Sequence, residues 1–169
     1  MKSGDLERAC TLFDQSIGSA SDPIALLQAA VCYRATNRLE DALTILRDLD
    51  ERGENTPPAL LLRADIFCSL NRHQHALLLY RELADIEETS IAYPTALGLF
   101  KCGQVESARR LSEKLMRAND VALISRATIL LGRCMAATEK YDAANDTFAS
   151  VKAPKQLRQV ASYRLARLQ

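Results

Sequence analysis

Few side chains in this sequence are suited to chemistry. Cys68, His73 and His75 form a Cys-x4-His-x-His run that contains both of the chain's histidines. Thiolates and imidazoles are zinc ligands, but a structural zinc takes four of them in tetrahedral array. Three crowded into one turn do not supply that set, so exposed turn residues are expected and no metal. Cys32, Cys68, Cys102 and Cys134 recur at separations of 36, 34 and 32. Intervals of that size read as structural periods. Thiols a helix diameter apart cannot share one ion whose bonds are near 2.3 Å, so these cysteines are expected to be small apolar filling. The chain has five cysteines, an odd number. That reads as reduced thiols in a cytoplasmic setting rather than a disulfide framework.

Carboxylates cluster at Asp48, Asp50, Glu51 and Glu54, and again at Asp85, Glu87 and Glu88. Paired carboxylates can do acid–base work, but no histidine or nucleophile motif accompanies them, and solvated helix ends are expected. The chain has no glycine-rich phosphate loop, HExxH run or G-x-S-x-G elbow. Neither an enzyme nor a cofactor is expected. Net charge is +1, from 22 basic and 21 acidic residues, which provides no general field for nucleic acid or an anionic membrane. The charge is uneven: Lys152, Lys155, Arg158, Arg164 and Arg167 make the last stretch +5 and leave residues 1–150 at −4. A solvated face on a terminal helix accounts for this. No apolar run approaches the length of a membrane-spanning helix, and no leader pattern opens the chain. Neither spanning nor export is expected.

The elements that carry these residues are written in a repeat. "NRLEDALTIL" at 37–46 returns as "NRHQHALLLY" at 71–80. Aligning on the shared alanine gives Ala9, Ala42, Ala76, Ala108 and Ala144, at separations of 33, 34, 32 and 36. Twelve residues before the last four stand Ala30, Ala64, Ala96 and Gly132, all small. Four residues before and three after each upstream residue come Leu26 and Tyr33, Leu60 and Phe67, Ala92 and Leu99, and Thr128 and Met135. That spacing puts each trio on one helix face. Four residues past each downstream alanine are Phe13, Leu46, Tyr80, Ser112 and Phe148, one turn along a second helix. Leu and Ala dominate, and glycine totals 6, proline 5 and tryptophan 0, so the chain is expected to be all-α.

Packing distance explains the beat. Where two antiparallel helices cross closely only a hydrogen or a methyl fits, and bulky neighbours one turn away fill the flanking grooves. Pro23, Pro57, Pro58 and Pro154 fall at or near the starts of first helices, where a missing N–H costs little. Helices are expected near 5–18, 23–36, 39–52, 57–70, 73–87, 91–102, 105–118, 121–137, 141–151 and 155–168. The residue before a proline is pushed away from helical angles, so the sixth helix is expected to start as late as Pro94.

Leu26-x3-Ala30-x2-Tyr33…Ala42-x3-Leu46 and Leu60-x3-Ala64-x2-Phe67…Ala76-x3-Tyr80 resemble the tetratricopeptide repeat, W-x2-L-G-x2-Y…A-x3-F…P over about 34 residues. The last pair keeps Gly132 and Ala144-x3-Phe148. The chain departs in lacking the tryptophan and in placing Ser112 where an aromatic belongs. The resemblance implies an all-α, right-handed α-solenoid of antiparallel helix pairs with about ten helices. Residues 1–22 hold the second helix of an incomplete repeat. Repeats follow at 23–56, 57–89, 90–120 and 121–154, and a capping helix at 155–169. Solenoid ends normally need a polar cap, so an array longer than this chain, or self-association through its N-terminal end, is expected.

The resemblance further implies a non-enzymatic scaffold that binds a protein or peptide in a concave groove lined by first helices. Moving each trio one residue on gives the groove face: Leu27, Val31 and Arg34; Leu61, Asp65 and Cys68; Tyr93, Leu97 and Phe100; Ile129, Arg133 and Ala136. Related modules that hold acidic chaperone tails use Lys, Asn, Asn, Lys and Arg, which are not at the matching places here. A largely apolar groove suits an amphipathic helix or extended apolar segment, as in some bacterial secretion chaperones. A chaperone or assembly factor is therefore the expected role, and an oligomerisation or regulatory segment of a larger protein the alternative. RNA-reading helical repeats need a basic track, which this face lacks.

If the small residues mark helix crossings, Ala64→Leu or Ala76→Leu overpacks one, and chemical denaturation should show a loss of about 1–3 kcal/mol.

Overall fold

The computed structural model describes residues 3–17, 22–86 and 88–151, and among these every regular element is helical. The helices are α1 (Ser3–Ser16), α2 (Pro23–Ala35), α3 (Leu39–Glu51), α4 (Pro57–Ser69), α5 (His73–Leu83), α6 (Thr89–Lys101), α7 (Val105–Leu115), α8 (Val121–Ala137) and α9 (Tyr141–Ala149). The expected closing helix over 155–168 and its basic residues lie outside the described residues. The chain forms two compact units, 1–79 and 80–169. In the first, α1 packs on α2, α2 on α3, and α4 on both α2 and α3. In the second, α6 packs on α7, α7 on α8, α8 on α9, and α6 also touches α8. Within each unit these helices meet their sequence neighbours, and the first helices meet each other, α2 with α4 and α6 with α8. This is the stacking of an α-solenoid.

The small residues sit where the spacing places them. Ala30, Ala42, Ala64, Ala76, Ala96, Ala108 and Ala144 are fully buried, and Gly132 is buried too. Ala9, on the first helix, is half-buried. A Cβ built on Gly132 would stand 2.6 Å from the Phe148 ring, so only a hydrogen fits between α8 and α9. Gly98 plays the same part under the fully buried Tyr80 ring. Ser112 is buried with its hydroxyl donating to the Ala108 carbonyl at 2.8 Å. Its polar atom is thereby satisfied within its own helix.

A device not read from the sequence closes each first helix. Asn37, Asn71, Gly103 and Glu139, each five residues before a buried alanine, have φ of 62°, 57°, 77° and 60°. At each, the next residue's N–H reaches back to the carbonyl that ends the packing trio. Arg38 bonds Tyr33 and Arg72 bonds Phe67, both at 2.8 Å, Gln104 bonds Leu99 at 2.9 Å, and Lys140 bonds Met135 at 3.0 Å. This is the Schellman arrangement, and it turns the chain into the second helix at a fixed angle. The "Asn-Arg" of the repeated phrase now has a reason. Asparagine tolerates the left-handed position. Each arginine then pairs with a carboxylate on the preceding second helix, Arg38 with Asp14 at 2.7 Å and Arg72 with Glu40 at 2.8 Å.

Two expectations about boundaries are corrected. Helix α6 begins at Thr89, not at Pro94, which lies inside it. The N–H that Pro94 lacks would have bonded to Ser90, whose exposed position leaves its carbonyl open to water. Ile91 and Ala92, each 3% exposed, anchor the turn before it. Helices α5 and α7 end at Leu83 and Leu115, short of the expected 87 and 118. Their last turns tighten into i to i+3 bonds, such as Ile86 N–H to the Leu83 carbonyl at 3.1 Å and Ala118 to Leu115 at 3.1 Å.

Glu139 is the one described member of this turn series that is neither Asn nor Gly. Removing its Cβ relieves left-handed strain at an otherwise compatible position. Glu139→Gly should raise stability by about 1 kcal/mol in denaturant titrations, whereas Gly103→Ala should lower it by a similar amount.

Candidate functional site

Local sequence positions the candidate face. Pro23 at the first position of α2 and the Asp22 carboxylate, which accepts the Ala25 N–H at 3.3 Å, fix where that helix starts. Asp120 does the same for α8, accepting the N–H groups of Ala122 at 2.8 Å and Leu123 at 3.3 Å. With the buried trio facing inward, the wall opposite is set.

In residues 1–79 that wall holds Leu27, Val31 and Arg34 of α2 and Leu61, Asp65 and Cys68 of α4. Val31 is 49% exposed, Leu61 and Cys68 are half-buried, and Leu27 packs against the core. Arg34 Nη2 stands 3.5 Å from Asp65 Oδ2, tying one first helix to the next. A part-exposed pair of this kind contributes less than about 1 kcal/mol, so both charges stay open to competition.

In residues 80–169 Tyr93, Leu97 and Phe100 of α6 are all half-buried. Arg133 of α8 lays its guanidinium over Phe100, 4.4 Å from the ring centroid. Burial pushes the Tyr93 phenol up, while the positive charges of Arg126 and Arg133 pull the other way. The two bridging contacts share one register. The fourth residue past the small position of one first helix meets the first residue past that of the next, as in Arg34 with Asp65 and Phe100 with Arg133.

Ile129 stands apart from the other wall positions. It is 8% exposed and clusters with Ala144, Phe148 and Val151, and Ala136 packs on the same cluster. Ile129, Leu130 and Leu131 are consecutive and all buried. Three such positions cover more than half of a helix's circumference, so α8 is covered on faces where the other first helices are open. The one-residue offset that finds the wall elsewhere leads into the core here.

The structure also forms a cleft that the sequence reading missed. It has a volume of about 450 Å³ within residues 1–79 and is lined by Leu43, Arg47, Phe67, Arg72, His75 and Leu78 among others. His75 is exposed, as expected of it, with its ring 5.4 Å from that of Phe67. The available signal was Leu77-Leu78-Leu79. Three successive leucines span more than half of a helix's circumference, and on α5 this leaves Leu78 65% exposed. Arg72 pairs with Glu40 and Arg63 with Asp50 at this cleft, each within 2.8 Å.

The comparisons with known proteins agree with this architecture. Residues 1–66 match the family model described as tetratricopeptide repeat. The fold is similar to that of YrrB, described as a TPR protein with an unusual peptide-binding site, with a TM-score of 0.68 at 19% identity, over 96% of this chain and 82% of that one. It is also similar to a tetratricopeptide repeat protein from Parabacteroides merdae ATCC 43184, with a TM-score of 0.76 at 18% identity, over 98% of this chain and 66% of that one. Among curated protein sequences none matches the chain.

One cluster at the edge of the first wall titrates. Tyr33 Oη and Arg38 Nη1 both donate to Asp14 of α1, the latter at 2.7 Å, and the Arg38 guanidinium lies 4.2 Å over the Tyr33 ring. Arg38, and then Tyr33, hold the Asp14 carboxyl below its ordinary 3.8. A depressed carboxyl stabilises the fold above its unfolded value and ceases to do so as pH falls through the folded one. Burial, helped by Asp14, pushes the Tyr33 phenol up to about 12, so its contribution disappears as pH rises from about 10 to about 12. Amide exchange in α1 should accordingly quicken at both extremes. Asp14→Asn should abolish the acid limb below pH 3.8, and an unchanged acid limb would put the titrating group elsewhere.

Proposed function

We propose that this chain, a tetratricopeptide repeat protein, is a non-enzymatic scaffold that holds a protein partner against the exposed walls of its first helices. The observation that carries the reading is the row of Tyr93, Leu97 and Phe100. These are three large, mostly apolar side chains one turn apart on α6, each left half-buried by its own fold. A wall built this way suits the apolar stripe of an amphipathic helix or an extended apolar segment, with its anchors filling the spaces between the rings. Arg133 over Phe100, and exposed Arg126 beside Tyr93, favour a partner with a carboxylate next to its apolar anchors. Peptide binding is also what the description of YrrB reports for that protein. No helix among the described residues is long and apolar enough to cross a membrane, and the proposed partner is neither a lipid nor a nucleic acid.

The narrower reading, a chaperone or assembly factor of a bacterial secretion or envelope system, rests on the family resemblance. It asks that the bound segment be one that aggregates when uncovered. The cysteine count favours a cytoplasmic setting. Self-association is a second reading, supported by Leu12 at 65% and Ile24 at 67% exposure on the first two helices. Light scattering that gives the same monomer mass at two concentrations would remove it.

Leu97→Asp and Phe100→Ala should each weaken partner binding by about tenfold or more, with helicity unchanged by circular dichroism. Wild-type affinity in both folded variants would move the binding surface elsewhere.

A further inference from the structure

Cys10 and Cys32 are 4% and 6% exposed, and their Sγ atoms stand 2.7 Å apart. That is closer than two sulfurs pack as mere neighbours. The approach follows from the helix crossing: Cys10 comes directly after Ala9 on α1, and Cys32 two residues after Ala30 on α2. Around the pair, the Cys10 sulfur also lies 3.4 Å from the Thr36 hydroxyl, and the Cys32 thiol donates to the Leu6 carbonyl at 3.4 Å.

The repeat supplies an internal control. Cys134 holds the same place relative to Gly132 that Cys32 holds relative to Ala30, and it too is buried. The residue of α7 that corresponds to Cys10 is Arg109, whose charge acts on the Cys134 thiol. A buried cysteine at this position therefore does not require a second thiol. The crossing of α1 and α2 has one.

We propose that Cys10 and Cys32 are a modification site, a dithiol that a peroxide oxidises to a disulfide, locking α1 onto α2. One sulfur attacks the peroxide O–O bond, giving a sulfenic acid and one water. The second sulfur then displaces the sulfenic oxygen, which leaves as a second water when protonated. In sum two thiols and one hydrogen peroxide give one disulfide and two waters, and the two electrons lost by the sulfurs reduce the peroxide. Burial, and then Cys10, push the Cys32 thiol up to about 11, so little thiolate is present at neutral pH. Oxidation is slow while the pair is closed and proceeds when α1 lifts from α2. The product closes a loop between residues 22 apart, which on chain-entropy grounds suppresses opening of α1 on the order of 100-fold.

The test uses the reduced full chain treated with hydrogen peroxide, then denatured, alkylated with N-ethylmaleimide and cut with trypsin. Cleavage after Arg8 and Arg34 releases residues 9–34, which contain Cys10 and Cys32 and no other cysteine. The expected peptide is unalkylated and lighter by two hydrogens, and dithiothreitol restores both alkylation sites. Amide exchange in α1 should slow on the order of 100-fold in the oxidised chain. Cys10→Ser and Cys10→Ala should both leave α1 exchange indifferent to peroxide. The proposal is overturned by a peptide that carries two alkyl groups or sulfinic oxygens after peroxide. It is equally overturned by a disulfide that leaves α1 exchange unchanged, or by peroxide-dependent slowing in either variant.

Discussion

Everything in this molecule depends on how near two helix backbones can come. Seven alanines are fully buried at the crossings, and a Cβ on Gly132 would stand 2.6 Å from the Phe148 ring. At Gly132 only a hydrogen fits, and at the buried alanines a side chain longer than methyl would push apart helices that are packed in contact. Because the choice is made once per pair, the small residues return with a nearly constant period. Within each unit neighbouring pairs share a register, Arg34 meeting Asp65 in one and Phe100 meeting Arg133 in the other, and the candidate wall of each is what remains after the inward face is spent.

The turn between helices does a second part of the work. Packing alone fixes how close two helices are, while the left-handed residue and the bond back to the trio's last carbonyl fix the angle at which the chain returns. In the first unit the arginine after that residue also reaches the preceding second helix, to Asp14 or to Glu40. The turn inside one pair is thus joined to the pair before it, which couples local capping to stacking between repeats.

The all-helical class, the pairing of helices and the buried small residues were legible because packing writes them as side-chain size at fixed spacing. The turn at Glu139 was not, since glutamate carries no sign of a left-handed backbone and its conformation is imposed by neighbours. The start of α6 was misread for the opposite reason. Pro94 is a strong local signal, but Ile91 and Ala92 gain enough burial to carry the helix past it. Most of the candidate wall follows from a one-residue rotation, and that rule fails at Ile129 because α8 is packed on more faces than the other first helices. Contacts between side chains distant in sequence, such as Cys10 with Cys32 or Phe100 with Arg133, have no periodic signature and appear only once the helices are placed.

The proposed surface differs from the cleft at Leu78, which is lined by charged as well as apolar side chains and holds the Arg72–Glu40 and Arg63–Asp50 pairs. The wall on α6 carries large rings half covered, with cations beside them. Photocrosslinking in the native cell separates the two: a benzophenone amino acid is placed at position 97 in one chain and at position 78 in another. The account predicts a discrete adduct from position 97 and none from position 78. An adduct from position 78 alone would contradict it.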